Sequence, residues 1–363
     1  MLPQSKQEAI MSVVMQRKQT SQATAELWKN NFFNRHWRAI GIFLGRGKQV
    51  SIWISAAALM AINWLLGVSL SFLLRETYFT TTSLVLTNLM WVSYTYLAIL
   101  LALGTYGKLL EFVRLRLIES MKKEQDIQEL QAWAQQWVGG SFRPVLFCLV
   151  FSSLVSSLNV YSIYPTIPLS IGVTLIYFLN FFHLGAPIYG LISMIAFLLR
   201  LRLWNLSLYP DDPASSPILL QLSKQLRDYL LIFSLGIALF MVLTGLVNAL
   251  NPITITEFFI VNWIPILTLF FLSHFVFSTV IIRVKYERMG ELQSRIMKLS
   301  HLDKTDTKRT AQIMSLMDYH DRVKATKNSL INSQAILNLL GSLAFPSLAT
   351  LINAWPYVKD VFH

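Results

Sequence analysis

The stretch Pro168–Arg202 reads PLSIGVTLIYFLNFFHLGAPIYGLISMIAFLLRLR. It carries no charge until Arg200, and then two cations, Arg200 and Arg202, flank a single leucine. Counted to Leu199 it has 32 residues, about 48 Å of helix at 1.5 Å per residue. A hydrocarbon layer of ~30 Å needs about 20 residues. The segment is therefore longer than the layer, which predicts a tilt, a kink or a projecting end. Gly185, Pro187 and Gly190 mark the expected kink. An apolar helix that closes on basic residues is a membrane segment arriving at the cytoplasm.

The same ending recurs on either side, at Arg114-Leu-Arg116 and Arg283-Val-Lys285. Each ending closes a pair of apolar runs. The pairs are about Ser51–Leu74 with Leu84–Tyr106, Pro144–Val160 with the run from Pro168, and Tyr229–Leu250 with Phe258–Ile282. Their short connections, such as Arg75-Glu76, Tyr164-Pro165 and Asn251-Pro252, predict tight turns. The predicted fold class is all-α: a polytopic membrane protein with six transmembrane helices in three hairpins. Arg114, Arg200 and Arg283 lie 86 and 83 residues apart. That spacing suits a threefold internal repeat; three independent hairpins under the positive-inside rule would carry the same punctuation.

Composition agrees with a chain in lipid. Of 363 residues 54% are hydrophobic and only 14% are charged, where soluble domains carry roughly 25%. The net charge of +12 is not spread evenly. With the N-terminus in the cytoplasm, residues 1–50, 107–143, 200–228 and 283–327 hold 29 of the 31 Lys and Arg. That bias predicts a plasma-membrane protein, inner membrane in a bacterium, with a cytoplasmic N-terminus. It also accounts for the charge without nucleic acid as a partner. The residues before Ser51 are polar and basic, so no cleaved signal peptide is expected. The single cysteine, Cys148, excludes an intrachain disulfide.

Four regions follow. Residues 1–50 form a basic N-terminal segment with an interfacial helix near Phe33–Gly45. Residues 51–283 form the six-span bundle, with a cytoplasmic helical insertion at 107–142 and a turn region at 200–228. Residues 284–327 form extended, charged cytoplasmic helices. Residues 328–363 form an uncharged, semi-polar C-terminal helix. This last element is either a seventh crossing, anchored by Trp355 and Tyr357, or a re-entrant or surface-lying helix packed under the bundle.

The chemistry-bearing candidates are few. No Asp, Glu, Lys or Arg lies inside a predicted span, which disfavours a proton-coupled carrier. The intramembrane polar candidates are His183, His274, Asn180 and Asn262, with further asparagines such as Asn63 and Asn88 in or near the spans. Such amides bond across helices in lipid. In the tail, Gln334, Asn338 and Ser342 share one stripe of a helix whose leucines lie mostly elsewhere, as a pore lining would require. Arg114, Arg116, Arg200, Arg202, Arg283 and Lys285 form a predicted cytoplasmic basic rim. No zinc, hydrolase-elbow or phosphate-loop motif is present, and no metal or cofactor is expected. Two functions suit this pattern. One is a homo-oligomeric ion channel gated from the cytoplasmic side. The other is a non-conducting scaffold or sensor that binds a cytoplasmic protein through Lys108–Trp137 and Arg283–Lys327. An enzyme is disfavoured.

Overall fold

A computed structural model describes residues 52–76, 82–139, 142–163, 171–246, 260, 263–301 and 307–330, with the single positions 337, 341, 344, 347 and 348. Among them there is no strand. Among the described residues eight α-helices can be given bounds: α1 (Ile52–Leu73), α2 (Thr82–Phe112), α3 (Glu124–Ala134), α4 (Phe142–Ile163), α5 (Ile171–Leu201), α6 (Pro217–Leu246), α7 (Ile264–Ser300) and α8 (Thr307–Ala325). Four of the described helices are long and apolar enough to cross a membrane: α1, α2, α5 and α7. A fifth is added if Glu124–Gly139 and Phe142–Leu158, which meet at a bend of 44°, count as one broken span. The outer turns of all three predicted hairpins, at 77–81, 164–170 and 247–262, lie almost wholly outside the described residues.

The centre of the bundle is α5, which packs against α1, α2, α4 and α7. Across its most apolar window 67% of residues are buried, against 22% for α1. Small residues make this centrality possible, because helices in lipid gain by close backbone approach. A Cβ at Gly172 would collide with the Gly67 carbonyl and with the Ser71 side chain of α1. Gly185 faces Cys148 of α4, and Gly190 sits beneath the Tyr229 hydroxyl of α6. α5 is helical on both sides of Pro187, the position at which the sequence places its kink. Gly185 and Gly190 also admit neighbouring helices. The Pro187 carbonyl accepts the Tyr229 hydroxyl at 2.7 Å, so α6 bonds to α5 where the proline lies.

Both ends of α5 receive a charge from elsewhere in the chain. After α1 the backbone closes in a Schellman motif, with Arg75 N–H to Phe72 O at 3.1 Å and Glu76 N–H to Ser71 O at 2.9 Å. Arg75 takes the left-handed position of that motif, with φ at 55°. The turn carries the Glu76 carboxylate to the N-terminus of α5, where it accepts Ile171 N–H at 2.5 Å and Gly172 N–H at 3.2 Å. A carboxylate at a helix N-terminus is favoured both as a cap and against the macrodipole. The opposite charge closes the other end, as described below.

The predicted insertion 107–142 differs from one long charged helix. It leaves α2 through a π-turn at Val113–Leu117 and a 3₁₀ turn at Ile118–Ser120, becomes extended at Met121, and resumes as α3. The break lets residues 120–122 pair with 205–207, through Lys122 N–H to Asn205 O at 2.9 Å and Ser207 N–H to Ser120 O at 2.6 Å. The buried carboxylate of Asp126 accepts Asn205 N–H at 2.8 Å. Behind this clasp lies a second apolar core, in which Trp133 meets Phe197 at 5.1 Å and Phe197 meets Trp204 at 5.8 Å. Ile127, Leu130, Trp133 and Ala134 of α3 are buried in it. The apolar face expected to bind a cytoplasmic partner is thus turned inward against its own chain.

Candidate functional site

The three basic helix ends converge on one end of the bundle. Arg283 and Lys285, two residues apart on α7, point about 200° apart at 100° per residue. They therefore reach different elements. The Arg283 guanidinium donates to Arg202 O at 2.9 Å and Leu203 O at 3.3 Å, and also to Trp204 O. These carbonyls follow the last turn of α5, where the backbone has unpaired acceptors and the macrodipole favours a cation. The planar guanidinium offers its N–H donors in a fixed fork, which lets one side chain reach three consecutive carbonyls.

Lys285 faces the other way. Its ammonium donates to Lys324 O at 2.7 Å, Thr326 O at 2.7 Å and Asn328 Oδ1 at 2.8 Å. All three of its protons are thereby used, and they close the C-terminus of α8. The side chain is buried, with 6% of the residue exposed. Burial pushes its pKa below the ordinary lysine range, while the Asp212 carboxylate pushes it back up. Lys285 is therefore an internal strut; a rim charge needs to face water. Beside it α8 runs antiparallel to α7. Arg288 lies over the Tyr319 ring at 5.5 Å, and the Tyr319 hydroxyl donates to Asp211. The Pro210–Ser216 turn, α7, α8 and Asn328 are thus bonded into one junction.

The other rim residues are more open. Arg116 and Glu119 pair at 3.9 Å with both side chains about two-thirds exposed, a pair of little energetic weight. Arg202 is exposed, and Arg114 and Arg200 are half-buried.

Within the bundle the polar candidates divide. Asn180 meets Asn63, whose Nδ2 donates to Asn180 Oδ1 at 3.1 Å and to the Tyr96 hydroxyl at 3.4 Å. The His183 ring lies 5.4 Å from the Tyr96 ring. One node thus joins α1, α2 and α5. A second joins α2, α5 and α6: the Tyr106 hydroxyl meets Ser193 Oγ at 2.7 Å, and the Tyr106 and Tyr229 rings are 5.8 Å apart. His274 sits apart on α7, edge-on to Phe270 at 4.5 Å. Asn262, Gln334, Asn338 and Ser342 lie outside the described residues; the described positions 337, 341, 344, 347 and 348 between and beyond them are helical.

Sequence reasoning missed Tyr96, Tyr106, Ser193 and Tyr229. The signal for Ser193 was its recurrence with Asn180, His183 and Gly190 on one broad face of α5. The tyrosines carried none, because a tyrosine in an apolar run reads equally as an interfacial anchor. Among the described residues no three His, Cys, Asp or Glu side chains come together as a metal would need. No family model, curated protein or solved structure matches the chain.

Proposed function

We propose that this is a multi-pass membrane protein of six spans in three hairpins, N-terminus cytoplasmic, that works as a homo-oligomeric channel gated from its cytoplasmic side. The observation that carries the reading is the junction at Arg283 and Lys285. One helical turn of α7 holds the end of α5, the end of α8 and Asn328, the first residue of the uncharged tail. A displacement of α7 or α8 therefore reaches the central helix and the tail together. The polar stripe Gln334, Asn338 and Ser342 makes that tail the best candidate for the wall of a water-filled path. The basic residues around the junction place it on the cytoplasmic face by the positive-inside rule. The two further spans beyond those counted by length and composition are α4 and the uncharged second half of α6 with the residues after it.

The test is ion flux in liposomes loaded with the purified protein. Flux is expected, and Asn338→Leu with Ser342→Leu is expected to abolish most of it. Flux that survives the double substitution removes the tail from the conduction path. The scaffold reading has one observation in its favour. Met314 and Met317 of α8 are 63% and 52% exposed, on the helix whose one buried residue is Val323. Absence of flux together with a stoichiometric soluble partner, lost on Met314→Glu, would establish that reading instead.

A further inference from the structure

Asn63 stands at the middle of its span, Trp53–Leu73, where water is scarcest and an unpaired amide is most costly. It is 2% exposed, Asn180 is 0% exposed and Tyr96 is 2% exposed. The donors and acceptors can be counted. Asn63 Nδ2 uses its protons on Asn180 Oδ1 and the Tyr96 hydroxyl. Left over are the acceptor Asn63 Oδ1 and the donor Asn180 Nδ2, each fully buried and without a partner. The two leftovers are complementary, and they belong to amides already joined by one bond of 3.1 Å.

A group that completes this node must accept from Asn180 and donate to Asn63. It must also be neutral, because no charged side chain stands among the node's partners and a lone charge at this depth is expensive. It must be small, since the two amides are in direct contact. Buried waters occupy sites of this kind, where two to four polar groups converge. We propose that the Asn63–Asn180 node is a binding site for a single water molecule, held inside the bundle between α1, α2 and α5. The bound water accepts a proton from Asn180 Nδ2 and donates one to Asn63 Oδ1. It makes the contact a wet one and adds a second hydrogen-bonded link between α1 and α5 beside the direct amide bond. The inference does not depend on conduction and holds equally for a scaffold.

The test is a cryo-EM map of the full chain in lipid nanodiscs, at a resolution that shows ordered water. One density peak within hydrogen-bond reach of both Asn63 Oδ1 and Asn180 Nδ2 is expected. Two amides closed on each other by a second direct bond, or a dry gap, overturns the proposal. A solid-state NMR measurement gives an independent readout: magnetisation should pass from water protons to Asn180 Nδ2 in the wild type. No transfer to that nitrogen also overturns the proposal. Substitution adds a third arm. Asn180→Leu strands Asn63 and should lower the melting temperature. Asn63→Leu with Asn180→Leu, which removes both amides and costs only the bond from Asn63 to the Tyr96 hydroxyl, should recover part of that loss. A double variant that melts lower than either single one indicates no shared site.

Discussion

Two helices of equal mean hydropathy, α1 and α5, occupy opposite places in this molecule. Two-thirds of the α5 window is buried, and less than a quarter of the α1 window. Apolarity decides that a segment enters the membrane; it does not decide where the segment sits among its neighbours. Position follows from other residues. α5 carries Gly172, Gly185 and Gly190 at its contacts, buried polar groups at Asn180 and Ser193, and a charge supplied to each end. α1 carries fewer of these, the Gly67 to Ser71 patch and the buried amide of Asn63, and turns Leu65, Leu66, Phe72 and Leu73 outward.

The severest way to break this comparison is to remove the close approach on which it rests. Gly172→Leu must push α1 away from α5, because backbone and Ser71 stand where the side chain would go. A loss of about 3 kcal/mol is expected, the upper range for overpacking. Gly104→Leu on α2, where nothing lies within 4 Å of an added Cβ, should melt close to wild type. Equal melting of the two variants would show that the Gly67–Gly172 contact does not hold α1 in place. Comparable in size is Leu191→Ala on α5. That residue is 0% exposed, so a cavity loss of about 2–4 kcal/mol is expected, read by thermal melting in nanodiscs.

Next comes the basic end. Arg283→Gln removes a cation from three carbonyls that follow α5. About 1.5–3 kcal/mol should be lost, the range for hydrogen bonds to a charged group. Amide exchange should quicken at residues 198–206, and Arg283→Lys should restore only part of the protection. Lys285→Met acts on α8 alone. Its carbonyls can turn to water, so the cost is about 1 kcal/mol, with faster exchange confined to the last turn of α8 and the residues after it. Protection lost along α5 instead would mean that the two cations do not divide the work as their directions imply.

Much of α5 was legible in its sequence, and much of the junction was not. The apolar run, its polar positions and its basic end could be read because each is a local pattern. Gly185, Pro187 and Gly190 were legible as special residues but not as to purpose: a glycine that bends a helix and one that admits a neighbour look alike along the chain. The break at Ile118–Lys123 was hidden because Ile118-Glu119-Ser120-Met121 has ordinary helix formers, and its partner Asn205 lies far off in sequence. Lys285 read as a rim charge for the same reason. Whether a lysine at a helix's inner end faces water or three carbonyls depends on where α8 folds back. Asn180 was singled out, yet the partner that gives it meaning, Asn63, is 117 residues away.

The smallest expected effect bears on what α1 faces. Leu66 is 53% exposed and Phe72 is 84% exposed. If lipid covers them, Leu66→Ala and Phe72→Ala exchange one apolar contact for another, and the stability should stay within about 0.5 kcal/mol of wild type. The folded and membrane-inserted unfolded states both present these side chains to lipid, so no transfer term separates them. If a second copy covers α1, the same substitutions remove packing at an interface. The loss should then be largest at high protein density in the bilayer and fade as the protein is diluted, because association stabilises by mass action. Melting each variant at two protein-to-lipid ratios separates the cases: no shift at either ratio leaves α1 as the lipid-facing wall, and a shift at the high ratio that fades on dilution makes it a surface through which copies associate.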